Sequence, residues 1–442
     1  MQKNTGVFVI DGFELKDAQK AFFHYKVVQG DEQVIFTEEL AFPEPFSNIP
    51  DEFVQRLFQN IAIVLGISYY KIFCLPEIQV SQFSLTQKQA DFWNTVYKKG
   101  LGEFFYKNQI DFRNLIHFLV ATDKEDDSIA LPRKNRSLVL FGGGKDSLVT
   151  VEALKKEKKP FAILTVNPTN LHKELADKID TEKIYITRTL DPKLFDIQNS
   201  GYKGHVPSSA MNAFISFAAA CFYDYQYVIA SNEASASIGN VAYLGSEINH
   251  QWSKSLEFET LFQAYTSEFV TPEVTYFSLL RPFSEFKITE MFSQNRQYFA
   301  QFSSCNTNFK LDPSAAADKD DKGLWCGKCP KCAFVFVSLA AFLPKAKVIE
   351  IFGKNLLADP QLVPVYEELL GISGFKPFEC VGTPEETQFA FYKVWQKKEY
   401  ADDVAIKLFE NKVLANIDVK EIEKRVYQKH EHRIPKEMLL FS

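Results

Sequence analysis

A short apolar run, Ser137-Leu-Val-Leu-Phe141, ends in Gly142-Gly143-Gly144. Lys145, Asp146 and Ser147 follow and open an amphipathic segment. No other junction constrains the chain as strongly. It demands a buried strand, a tight glycine turn and a helix whose first N–H groups are free. Glycines lack a Cβ, so backbone N–H groups can close on an anion. The helix start adds unsatisfied donors and the positive end of its dipole. Lys145 supplies a mobile cation and Ser147 a hydroxyl. Asp146 beside phosphates makes sense as a helix cap or as a contact to a bridging Mg²⁺. Residues 142–147 therefore read as a phosphate cradle.

The spacing is not that of the Walker loop. It resembles the pyrophosphate loop of the ATP pyrophosphatase families, usually Ser-Gly-Gly-x-Asp-Ser. Those enzymes cleave ATP to AMP and pyrophosphate, commonly adenylating a substrate oxygen. Gly142 stands where that pattern has serine, which removes one hydroxyl contact.

Strand–helix alternation surrounds the loop. Strands are expected at 138–141, 161–166, 183–187 and 227–231, and helices at 148–157 and 207–222. This predicts an α/β fold, a parallel sheet with helices on both faces. Ligands in such sheets bind beyond the carboxyl ends of strands, here 142–147 and 231–237. Residues 1 to about 50 look β-rich. Helical spacing follows at 51–66 and 87–108, and 121–128 reads as a polar linker. Beyond 345 the chain reads as mostly helical. A length of 442 residues exceeds one ordinary core. The expected division is an α+β substrate-binding domain at 1–130, an ATP-binding α/β domain at 131–344 and a helical region at 345–442. The net charge of −6 gives no footprint for bulk nucleic-acid binding. Neither a signal peptide nor an apolar run of membrane-spanning length is evident, so a cytoplasmic protein without membrane insertion is expected.

Cys326, Cys329 and Cys332 are spaced two residues apart, and Cys305 lies upstream across a polar loop at 310–323. Four thiolates suit a tetrahedral structural Zn²⁺. An iron–sulfur cluster, redox use or free thiols stay open on ligand type alone.

A pyrophosphate loop followed by this cysteine pattern resembles 7-cyano-7-deazaguanine synthase. A closer resemblance rests on Ser68-Tyr-Tyr-Lys71, Gly100-Leu-Gly-Glu-Phe104, Ser231-Asn-Glu-Ala-Ser-Ala-Ser237, Ile248-Asn-His-Gln-Trp-Ser-Lys-Ser-Leu-Glu-Phe-Glu259, Phe277-Ser-Leu-Leu-Arg-Pro-Phe-Ser-Glu285 and Lys376-Pro-Phe-Glu-Cys-Val-Gly382. With the glycine loop, these are similar to the bacterial UDP-N-acetylmuramoyl-L-alanyl-L-glutamate epimerase family. The resemblance implies an adenine nucleotide α-hydrolase-like fold. It also implies inversion of the terminal L-Glu of a nucleotide-sugar dipeptide, with ATP and Mg²⁺ consumed through an acyl-adenylate. Gly142, Gly143, Gly144, Lys145, Asp146 and Ser147 would then hold ATP.

Cys380 is a candidate acid/base thiol in a Gly/Pro-bounded loop. His250, Glu233 and Lys254 are further candidates for proton transfer, Mg²⁺ or substrate contact. Asn232, Ser235, Ser237 and Arg281 are candidate substrate ligands. Each also has a structural reading, as do His205 and the pair Tyr69-Tyr70, which favour the core. A ligase of the deazaguanine-synthase kind and an ATP-binding protein whose cysteine module docks a partner remain open alternatives. Oligomeric state is not legible.

Overall fold

The computed structural model describes residues 6–46, 49–121, 128–198, 201–305 and 323–441. The expected linker at 121–128 and polar loop at 310–323 lie, except at their ends, outside the described residues.

Strands β1 (Val7–Lys16), β2 (Lys20–Gln29) and β3 (Glu32–Ala41) form an antiparallel meander. Asp17 and Ala18 take φ of 57° and 49°. Two left-handed residues match the strand twist in the three-residue turn Asp17–Gln19. Strands β4 (Glu77–Val80) and β5 (His117–Phe118) extend this sheet at β1. The second half comprises β6 (Ser137–Leu140), β7 (Phe161–Val166), β8 (Glu182–Thr189) and β9 (Tyr227–Ala230). A small hairpin, β10 (Val241–Tyr243) and β11 (Ser246–Ile248), stands apart, and β12 (Thr275–Ser278) closes the set.

All pairings among β12, β9, β6, β7 and β8 are parallel. Then β8 pairs antiparallel with β3 through Thr187–Thr189 and Glu39–Ala41. One ten-stranded sheet results, ordered β12-β9-β6-β7-β8-β3-β2-β1-β4-β5. The expected N-terminal strands and the expected nucleotide-binding strands thus share a sheet.

Helices cover both faces of the parallel part, as the alternation predicts. Side chains alternate across a strand, and Leu138 and Val139 enter different cores. Leu138, Leu164 and Val228 pack with helices Asp51–Phe73, Ser208–Phe222 and Leu256–Phe269. Val139, Ile163 and Ile229 pack with Lys145–Lys156, Glu285–Phe292, Pro330–Ala340 and the C-terminal helices. Tyr69 and Tyr70 are fully buried beside Tyr25 and Phe8, so they are core residues.

Several boundaries differ from expectation. The first helix continues past 66 to Phe73, where Cys74 at φ 49° ends it. The segment 87–108 is two helices, Gln87–Gly100 and Gly102–Lys107, interrupted at Leu101. A Cβ on Gly100 would meet Pro207 at 2.8 Å, so glycine permits that close approach. Strand β12 was not anticipated, because four residues, three of them buried, carry little periodicity.

The strand order reverses between β6 and β9. That is a topological switch point, where the loops after the two strands part and leave a crevice. Gly142–Gly144 follow β6, and Ser231–Glu233 follow β9, at this crevice.

Candidate active site

Gly144, in extended backbone, caps helix Lys145–Lys156 without a side-chain hydrogen bond. Gly143 takes φ +69°, which favours glycine. The cap is therefore backbone, and Asp146 does not supply it. Asp146 instead contacts Lys145 Nζ. The Ser147 hydroxyl donates to the Gly144 carbonyl at 3.0 Å. Lys145 is fully buried, not mobile, and also donates to Glu285 Oε2 at 2.6 Å. Lys331 donates to the other oxygen of Glu285 at 2.8 Å. Burial opposes ionisation of Glu285, but Lys145 and Lys331 outweigh it and hold the carboxyl at about 2.

Asp146, Glu233 and Glu285 bring carboxylate oxygens within 4.8 Å of one another. Hard oxygen donors at this spacing fit Mg²⁺. Ser304 Oγ lies where a Gly144 Cβ would approach to 2.9 Å, and it is buried with no hydrogen-bond partner among the described residues. His172, capping the helix Asn170–Ala176, hydrogen-bonds the Gly142 backbone. Backbone N–H groups, an orphan hydroxyl and a carboxylate cluster form one concave edge.

A second cluster centres on Cys380. Lys254 Nζ donates to its sulfur at 3.1 Å, and His250 hydrogen-bonds it from another side. His250 Nδ1 in turn pairs with Glu103 Oε2. Burial would raise the Cys380 thiol, but Lys254, His250 and Lys331 pull it down to about 6. Burial would lower His250, yet Cys380 and Glu103 raise it to about 9. The sulfur is thus a thiolate facing an imidazolium across the neutral pH range. His205 lies against His250, ring centroids 4.7 Å apart and tilted by 51°, with Nδ1 3.5 Å from Glu103. Burial, then the His250 charge, pushes His205 down to about 3, so it stays neutral.

Asn240 holds this arrangement together. Its carbonyl oxygen accepts the His250 N–H at 2.8 Å. Its amide nitrogen donates to the carbonyls of Lys376 and Pro377, fixing the loop that carries Cys380. Glu386 ties that loop to the phosphate side, accepting from Thr383 N and Glu285 N.

Five stretches quoted above therefore meet the glycine loop at one place. This pattern accords with two family models, which match the MurL N-terminal domain over residues 1–279 and the MurL C-terminal domain over residues 301–424. The chain is 36% identical to a UDP-N-acetyl-alpha-D-muramoyl-L-alanyl-L-glutamate epimerase of Xanthomonas oryzae pv. oryzae, covering 86% of this chain and 84% of the relative. It is 37% identical to a protein of the same name from a Micromonospora species, covering 87% and 85%. The chain belongs to the MurL family.

Not every candidate faces the MurL centre. Arg281 is 1% exposed and spends its donors on Glu259 and on the carbonyls of Glu233 and Lys254. It positions two candidate residues from behind. Asn232 bonds Tyr276 by its side chain, and Ser237 Oγ accepts from Leu256 N. Ser235 Oγ is buried with no partner among the described residues.

Cys305, Cys326, Cys329 and Cys332 place their sulfurs within 4.8 Å of one another. Two separations are 3.7 Å and 3.5 Å. A zinc tetrahedron with bonds of about 2.3 Å has edges of about 3.8 Å, so the set fits that ion.

Glu103, Glu285, Lys331 and Asn240 were not singled out from the sequence. The first two sat inside quoted stretches, yet each acts on a partner more than a hundred residues away.

Proposed function

We propose that this chain inverts the terminal L-Glu of UDP-N-acetylmuramoyl-L-Ala-L-Glu in peptidoglycan precursor synthesis, consuming ATP and releasing AMP and pyrophosphate. The observation that carries the reading is a Cys380 thiolate, held by Lys254 and His250, joined through the Glu386 tie to a phosphate loop.

An α-proton beside an ionised carboxylate is hard to remove, since the carbanion would adjoin a negative charge. A substrate carboxylate oxygen attacks the α-phosphorus of ATP, and pyrophosphate leaves. The acyl-adenylate has lost the carboxylate charge and can delocalise a carbanion as an enolate. Residues 142–145 and Ser304 orient the phosphates through N–H and O–H donors. Asp146, Glu233 and Glu285 would hold Mg²⁺, which neutralises charge on the phosphates. Cys380 Sγ takes the α-proton. Inversion requires a proton on the opposite face; Lys254 Nζ, 3.1 Å from the sulfur, lies on the same side and serves to hold the thiolate. Water at the acyl carbon then frees AMP. The cysteine set would hold a structural Zn²⁺, and the fold would be of the adenine nucleotide α-hydrolase type.

The test is incubation with the dipeptide substrate, ATP and Mg²⁺ in deuterated water. AMP, D-glutamate and deuterium at the glutamyl α-carbon are expected. AMP without deuterium would sink the epimerase reading and favour a ligase.

A further inference from the structure

A cavity of about 830 Å³ lies beside this centre and has no part in the chemistry above. Its volume is within the range of small-molecule sites, about 300–1,000 Å³. Gly102 and Asn249 form part of its wall. They are the chain neighbours of Glu103 and His250, so the cavity adjoins the thiolate cluster through two separate segments.

Three chemistries meet in its lining. Phe112 and Trp252, 3% and 4% exposed, show only apolar edges to it, because Phe105 stacks on Phe112 and Trp252 packs on Phe258, and the Trp252 indole N–H is already committed to Glu257 at 2.8 Å. Glu257 is neutralised further by Lys99. Lys98 is different: its ammonium sits 5.5 Å over the Phe112 ring and makes no ion pair among the described residues. Ser255, Leu256 and Glu257, at the start of the 14-residue helix Leu256–Phe269, also line it, but the Leu256 and Phe258 N–H groups there are already taken by Ser237 Oγ and Ser255 Oγ. Glu247, on the rim, offers a carboxylate that can accept hydroxyl donors.

An ammonium without an ion pair among the described residues and a carboxylate that accepts hydroxyls, in a cavity of this size next to the thiolate cluster, suit a nucleoside diphosphate. We infer that this cavity binds the uridine diphosphate end of the substrate, with Lys98 on the diphosphate. The inference rests on the epimerase reading for the identity of the nucleotide. Reach supports it. Lactyl, alanyl and glutamyl links are three residue lengths, at most about 11 Å when extended. A glutamyl α-carbon at Cys380 therefore needs its sugar diphosphate in an adjoining cavity, not across the molecule.

Lys98 is partly exposed, so its replacement leaves the core intact. The test titrates UDP, and separately ADP, into the natural chain and into Lys98→Ala and Lys98→Glu. It also measures KM for the UDP-linked dipeptide and for ATP. Loss of one charge-assisted contact weakens binding about tenfold to a hundredfold. UDP affinity should fall by that factor and the dipeptide KM should rise with it, while ADP affinity and the ATP KM stay unchanged. Unchanged UDP affinity and dipeptide KM in both variants would overturn the site while leaving the epimerase reading intact. Lys98-dependent UDP binding in a chain that never inverts glutamate would support the site and defeat that reading.

Discussion

Replacing Glu103 with glutamine keeps the shape behind His250 but removes the charge that supports its imidazolium. Burial would then lower His250 from its raised value of about 9, although the Cys380 sulfur still raises it, so the ring loses part of its charge near neutral pH. The thiolate would keep Lys254 and Lys331 but face a less strongly charged imidazole. A hydrogen bond to a charged group contributes about 1.5–3 kcal/mol, which is roughly one to two pKa units. A thiol at about 6 would rise to about 7–8. The sign follows from the thiolate being the form that accepts the α-proton. Raising its pKa moves the acid limb of log kcat/KM to higher pH. At pH 7 the thiolate fraction falls from about nine-tenths to between about a half and a tenth. The rate at pH 7 should drop about two- to tenfold and recover above about pH 9. Deuterium incorporation at the α-carbon across pH reads this directly, and the pH dependence of Cys380 alkylation reads it without turnover. An acid limb that does not move, or an equal loss at every pH, would refute the relay from Glu103 through His250 to Cys380.

Lys145→Ala should abolish AMP release, because it removes the one cation within the phosphate loop; undiminished release would refute the ATP assignment. Glu285→Ala leaves Lys145 and Lys331 buried without their shared carboxylate. Breaking such a pair costs about 3–5 kcal/mol, to be read as a lower urea midpoint, and it should also raise the Mg²⁺ requirement. Metal analysis should find one zinc per chain, and Cys329→Ser should lower both metal content and Tm; a purified chain that is folded and metal-free would defeat the zinc assignment.

The phosphate loop was legible because its partners are local. A strand, a glycine turn and a helix start lie within eleven residues, and each has its own sequence signature. The cysteine set was legible for the same reason, through its spacing. The parallel sheet followed from strand–helix alternation, but its union with the N-terminal meander did not. That union rests on three residue pairs between β8 and β3, and nothing in either strand marks an antiparallel partner so far away. Arg281 shows the limit for single residues. An arginine reads the same in sequence whether it faces a substrate or is sealed against Glu259, and only burial separates the two. Glu103 and Glu285 are the converse, ordinary helix-start acids whose meaning comes from the distant His250, Lys145 and Lys331.

The two halves of the centre are linked by more than proximity. Cys329 caps helix Pro330–Ala340, its sulfur accepting the Cys332 N–H. That cap sets the first turn, and the first turn carries Lys331 between two cysteines of the set. Lys331 meets Glu285, and Glu285 meets Lys145 in the phosphate loop. The same ammonium helps to hold the Cys380 thiolate. The cysteine cluster thus fixes a charge shared by the phosphate-loop carboxylate Glu285 and the Cys380 thiolate. Both Glu285 and Cys380 hold negative charge in a buried place, and a lysine pinned at a helix start supplies the counter-charge to each.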